Sequence, residues 1–159
     1  MISEFLRKAQ EKDINRIAEI IIFTKRQTYR PIFKNDEVSF NVMQVGFEIE
    51  RLKNPDEMKN LYVYDDGIVK AIITIKPDEN TVWLTDFYVD PFFQGEGIGT
   101  RVINTITEKY KGYEIHANPL DQNVRAVDYY EKLGFEYTGK KEEFLDSGFY
   151  MLDYCLKND

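Results

Sequence analysis

Hydrophobic positions change their period several times along the chain, and each change predicts an element. "EFLRKAQ", residues 4–10, reads as a short strand. In "EKDINRIAEIIIFTKRQ", residues 11–27, Ile14, Ile17, Ala18 and Ile21 recur at helical spacing behind Asp13, which stands where an N-cap belongs. Residues 36–53, "DEVSFNVMQVGFEIERLK", predict a second helical region with Phe40, Met43 and Phe47 on one face, weakened by Gly46. Alternation then takes over. "LYVYDDGIVKAIITIK" is two alternating runs about Asp66-Gly67, a two-residue hairpin turn, and "TVWLTDFYVD" follows the turn cluster "PDEN". "IGTRVINTITEKYKG" is an amphipathic helix closing at Gly112. "YEIHA" is a short strand, "DQNVRAVDYYEKLG" a helix from Asp121 or Gln122 to Gly134, and "FEYTG" and "FYMLDYCL" two final strands. The strand–helix–strand–helix–strand stretch requires parallel pairing and the hairpins antiparallel pairing, so an α/β (α+β) fold with a mixed sheet is expected. No repeat, linker or low-complexity segment interrupts it, so residues 1–159 are expected to form a single domain.

Composition narrows the function classes. No apolar run approaches the roughly 18 residues a membrane helix needs, and "MISEFLRKAQEKD" lacks the apolar stretch of a secretory signal. The lone cysteine, Cys155, excludes an internal disulfide, and a cytoplasmic protein with no membrane partner is expected. With 21 basic against 28 acidic residues the net charge is -7, which argues against a nucleic-acid partner. It suits a cationic small substrate, or simply a solvated acidic surface. With one histidine and only Ser3, Ser39 and Ser147, a hydrolase triad has little material, and GxSxG does not occur. No Cys/His spacing suggests zinc, so no metal is expected.

"VDPFFQGEGIG", residues 89–99, concentrates three glycines after a strand. A P-loop needs a Lys after its last glycine, and a dinucleotide-binding fingerprint needs a third glycine where Thr100 stands; both fail. Pro91 ends the strand because proline cannot donate to a ladder. Gln94, Gly95, Glu96, Gly97, Ile98, Gly99 and Thr100 then lead into a helix whose first amides lack intrahelical partners. Without Cβ atoms in the way, a diphosphate can lie against those amides, where the helix dipole also favours anions.

Gln94, Gly97 and Gly99 match [QR]xxGx[GA], and the stretch resembles the acetyl-coenzyme A signature of the GNAT superfamily of N-acetyltransferases. "NVRAVDYYEKLGF" resembles a later motif of that family, NxxAxxxYxxxGF, at Asn123, Ala126, Tyr130, Gly134 and Phe135. On a helix, Asn123, Ala126 and Tyr130 share one face, which by periodicity alone reads as a core face. The two motifs in order, with the element order, extend the resemblance over nearly the whole chain. It implies a mostly antiparallel seven-stranded sheet flanked by about four helices. It also implies transfer of an acetyl group from acetyl-coenzyme A to a primary amine of a small molecule or peptide, by direct attack. Homodimers are common in the family, and the aromatic tail serves either an interface or the core. A non-catalytic acyl-coenzyme A sensor is the alternative.

The resemblance also assigns roles. The pantetheine arm would pair with the strand edge at Phe87, Tyr88 and Val89, and the amides of residues 94–100 would hold the diphosphate. Asn123 and Ala126 would line the arm, with Arg125 and Lys132 near the 3′-phosphate or merely solvated. Tyr130 would protonate the leaving thiolate, since a phenol of pKa about 10 carries its proton at neutral pH. The base is less constrained. If Phe87 and Val89 face the core, alternation turns Asp86 and Tyr88 toward the cleft, which makes Asp86 the candidate acceptor of the amine's proton. Glu48 and Glu50 are rivals, and His116 reads as a structural histidine. Tyr29, Phe33, Phe40, Met43 and Phe47, within residues 24–53, would wall the acceptor pocket.

Overall fold

The computed structural model describes residues 5–159; Ser3, and Glu4 at the head of the first predicted strand, lie outside the described residues. Its hydrogen-bonded sheet has seven strands in the order β1-β2-β3-β4-β5-β7-β6, mixed as expected. These are β1 Leu6–Lys8, β2 Leu61–Asp65, β3 Val69–Asp78, β4 Thr81–Val89, β5 Glu114–Ala117, β6 Glu136–Glu143 and β7 Tyr150–Lys157. The pairs β1·β2, β2·β3, β5·β7 and β6·β7 are antiparallel, and β4·β5 is parallel, as the intervening helix requires. The described residues form five α-helices where about four were expected: α1 Ile14–Phe33, α2 Val45–Leu52, α3 Pro55–Met58, α4 Ile98–Lys109 and α5 Val124–Lys132.

The chain divides into two compact units, one of Met1–Ile75 with Asp86–Lys109 and one of Lys76–Thr85 with Tyr110–Asp159. In the first, Ile14, Ile17, Ala18, Ile21 and Ile22 of α1 pack with Leu61 and Val63 of β2 and Val69 and Ile72 of β3. The 3.6-residue period of α1 therefore meets the two-residue period of the strands, as the sequence pattern requires. The hairpin turns at Gly67, whose φ of 116° only glycine adopts easily. In the second unit, Val82, Leu84, Ile115, Ala117, Leu120, Phe135 and Tyr154 are buried.

Several boundaries move. Helix α1 runs on to Phe33, six residues past its expected end, tolerating Pro31 in its last turn, and it stops at Lys34 with φ 52°. Asp13 stands at its N-cap as expected, but its side chain makes no cap bond to the helix. Its carboxylate accepts instead from Arg7 (2.8 and 2.9 Å) and from the amide of Gln10 (2.8 Å). The helical region over 36–53 is broken into a π-helical turn, Val38–Val42, and α2, with Met43 extended between them. Phe40, Met43 and Phe47 thus share no single face: Met43 packs on the α1 cluster, while Phe40 and Phe47 are exposed. Arg26 makes this break, since its guanidinium donates to the carbonyls of Ser39 and Met43 and ties the turn to α1.

Candidate active site

The glycine turn is built from a buried anchor outward. Asp90, 2% exposed, accepts from Arg16 (2.5 Å) and from the amide of Phe92 (2.8 Å), which folds Pro91–Phe93 into a short 3-10 turn. The side chain of Gln94 donates to Val89 O and to Gln27 Oε1, both at 3.1 Å. The signature glutamine thus ties the turn back to β4 and α1. Gly95 and Gly97 take φ values of 82° and 80°, where a β-carbon is strained. A β-carbon built on either would meet nothing within 4 Å, so the space outside the turn is open.

Helix α4 then starts at Ile98, and Arg101 N bonds back to Gly97 O at 3.1 Å. The amides of Ile98, Gly99 and Thr100 precede that bond and belong to the first turn, which has no intrahelical acceptors. Two cations that sequence reasoning missed stand beside this turn and feel the charge of Glu96. Lys70 lies over the Phe93 ring, and Arg101 donates to the Tyr64 hydroxyl at 3.2 Å. Arg101, two residues beyond the last glycine, could have been read from the sequence; Lys70, on another strand, could not. An anionic group fits here, because backbone donors, dipole and cations all favour it.

Strand β4 changes character midway. Its parallel register with β5 takes in Thr81–Leu84 against Glu114–Ala117. Asp86 follows with φ 48°, a left-handed residue inside a strand. The alternation expected for this strand does not carry through it. Tyr88, assigned by alternation to the cleft, packs against the α1–α2 apolar cluster, and Phe87 and Val89 are only half-buried.

Asp86 is exposed and accepts from Thr74 Oγ1 at 3.1 Å. Its charge is felt by Tyr29, Tyr88 and Arg51, so these side chains gather around it. The hydroxyls of Tyr29 and Tyr88 are hydrogen-bonded. Burial, then the charges around it, push Tyr88 well above the ordinary phenol range and keep it a neutral donor. The two rival glutamates separate. Glu48, 13% exposed, pairs with Arg51 and acts on Tyr88, whereas Glu50 is exposed and paired with Lys53 at 2.6 Å. Of the expected pocket wall, Tyr29 and Phe33 pack together at 6.0 Å between ring centres. Phe40 is instead covered by the guanidinium groups of Arg26 and Arg30.

In the second unit, the later motif serves helix α5 itself. Asn123 Oδ1 accepts from the Ala126 amide at 3.2 Å and caps the helix start. At the far end, Phe135 N bonds to Tyr130 O and Gly134 N to Glu131 O, both at 3.0 Å, with Gly134 at φ 95°. That is a Schellman ending, the C-cap expected at this glycine. Tyr130, 8% exposed, stands edge-on to Phe135 with ring centres 5.3 Å apart, while Arg125 and Lys132 are exposed. His116 is buried on β5, bonded through Nδ1 to Asp153 at 2.7 Å and stacked on Trp83.

The chain is 29% identical over 160 residues to the thialysine N-epsilon-acetyltransferase of Mus musculus, covering 94% of each chain. It is 30% identical over 63 residues to the probable spermine N(1)-acetyltransferase of Bacillus subtilis subsp. natto, a match that spans 37% of this chain and 41% of that protein. The fold matches the PaiA N-acetyltransferase of Thermoplasma acidophilum, solved in complex with coenzyme A, with a TM-score of 0.73 at 20% identity over 96% of this chain and 97% of that one. The acetyltransferase (GNAT) family model matches residues 5–135, most of the chain, and the protein belongs to that family.

Proposed function

We propose that the protein is an amine N-acetyltransferase, with acetyl-coenzyme A as donor and residues 1–159 acting as one catalytic domain. The observation that carries this reading is the turn before α4. It pairs left-handed glycines, open space where their side chains would stand, and leading amides beside Lys70 and Arg101. The diphosphate of the donor would lie against the amides of residues 95–100. Its pantetheine arm would add to the edge of β4 at Phe87–Val89, past the register with β5. Asn123 and Ala126 would border the arm, with Arg125 and Lys132 toward the 3′-phosphate. The donor supplies an activated thioester, and everything else falls to the chain. Amides polarise the carbonyl, Asp86 accepts the proton of the amine, and Tyr130 gives a proton to the departing thiolate.

The acceptor class proposed is an alkyl primary amine of the polyamine or lysine type. Relatives named for spermine, thialysine and peptidyl-lysine support it, as do the carboxylates of Asp86 and Glu48 beside Tyr88. Such an ammonium has a pKa near 10.4, so its neutral form costs about 4–5 kcal/mol at pH 7 and a proton acceptor is needed. A non-catalytic sensor is not favoured, since these relatives are all named as acetyltransferases. The reading includes a cytoplasmic location and a homodimer; no helix among the described residues is long and apolar enough to cross a membrane.

Isothermal titration with acetyl-coenzyme A and a thiol-release assay over spermine, spermidine, lysine, thialysine and glucosamine test the reading. Turnover should favour the alkyl amines. Tyr130→Phe should lower kcat by about 10²–10⁴ with donor affinity retained. Donor binding without turnover of any amine would refute the enzyme.

A further inference from the structure

We propose that the second unit carries a site for a borderline divalent cation of the Zn²⁺ type, formed by Glu114, His116 and Cys155. Strand alternation puts Glu114 and His116 on one face of β5, and the antiparallel register sets Cys155 of β7 directly across from His116. The carboxylate oxygen, imidazole nitrogen and thiol sulfur lie within 4.8 Å of one another. The Glu114 Oε2 to His116 Nε2 separation of 3.4 Å is close to that between two ligands of one tetrahedral ion with bonds of about 2.0–2.2 Å. Imidazole, thiolate and carboxylate together suit zinc better than magnesium or calcium, which prefer all-oxygen sites.

A second observation points the same way. His116 Nδ1 is held at 2.7 Å by Asp153, whose other oxygen accepts from Thr138 Oγ1 at 2.9 Å. A carboxylate on Nδ1 fixes the tautomer that leaves Nε2 as the electron-pair donor, and Nε2 is the atom aimed at Glu114. The stacked Trp83 ring, centred 4.4 Å from the imidazole, blocks ring rotation. With three protein ligands gathered, the fourth position of a tetrahedral ion would fall to water.

The surrounding charge favours a cation. Glu114 lies in the cluster itself and Asp153 stands directly behind His116, so two carboxylates surround the site. An arriving dication satisfies those carboxylates and displaces the thiol proton, one proton leaving for each ion bound. The ion would clamp β5 to β7 and bind only the folded chain, so it would stabilise the native state. None of this depends on acetyl transfer.

His116 and Cys155 are each the sole residue of their type in the chain, so the signals are unambiguous. The untagged full chain should take up Co²⁺ at one per chain with a thiolate-to-cobalt charge-transfer band. Zn²⁺ should displace it, protect Cys155 from a thiol reagent and raise Tm. C155S should lose the band, H116A should lower affinity at least tenfold, and D153N should lower it by about 10–100-fold with the band retained. The wild-type spectrum needs no variant to fold. Absence of the band with Co²⁺ in several-fold excess, or uptake unchanged in H116A, would overturn the site.

Discussion

At Gly97 two demands meet in one residue. Its φ of 80° costs an L-residue about 1–2 kcal/mol, and the missing β-carbon leaves open the space before the α4 amides. Gly97→Val should therefore lower acetyl-coenzyme A affinity at least about tenfold by calorimetry, by blocking the approach to the helix N-terminus. Circular dichroism should stay native, because nothing in the protein lies within 4 Å of the new side chain's first atom. Asp86 is the other decisive position. A strained non-glycine residue in a strand persists only where its surroundings hold it, and here Thr74 does. Asp86→Asn should keep that hydrogen bond and lose the proposed proton acceptor. The expected loss in kcat is about 10²-fold for an alkyl amine, and smaller for an α-amino group, whose neutral form costs only about 1 kcal/mol at pH 7.

Among the elements, α5 shows how a sequence motif divides between ligand and scaffold. Asn123 and Gly134 match the family pattern, yet within the second unit Asn123 caps the helix and Gly134 ends it. Asn123→Ala should cost about 1 kcal/mol in a denaturant melt, and Asn123→Asp, which still accepts from Ala126, should recover most of it. If acetyl-coenzyme A affinity also follows that order, the cap orients the helix toward the donor. A loss of affinity in the Asp variant alone would mean that the Asn side chain meets the ligand. The β4 parity error has an equally local cause. One residue at φ 48° interrupts the alternation, and nothing in "TDFYV" announces it.

For the whole molecule, acid sensitivity follows from the clamp that Arg7 makes with Asp13 and Asp65. Burial raises the Asp13 pKa, but the hydrogen bonds from Arg7 and the Gln10 amide outweigh it, and the carboxyl is held below its usual value. Asp65 is lowered by Arg7 and by the Gly67 amide. A depressed carboxylate contributes stability that is present above its unfolded pKa, about 3.9, and lost as pH falls through the folded value. Urea midpoints should therefore drop on acidification below about pH 4, and Asp13→Asn should flatten that drop while lowering stability at neutral pH.

Element order, the hairpin at Gly67, the helix end at Gly134 and the two family motifs were legible in the sequence, because each is set by local chemistry: backbone freedom, caps and the period of apolar residues; the start of α5 falls at Asn123, later than the expected Asp121 or Gln122. Family membership followed from the same short-range signals. The break at Met43 and the left-handed Asp86 depended on partners distant in sequence, Arg26 and Thr74, and the separation of Glu48 from Glu50 on which neighbouring cation each one found, Arg51 or Lys53. The clearest case is His116 with Cys155. A helix and a strand separate them along the chain, so no spacing rule joins them, and only the register of β5 on β7 sets them face to face.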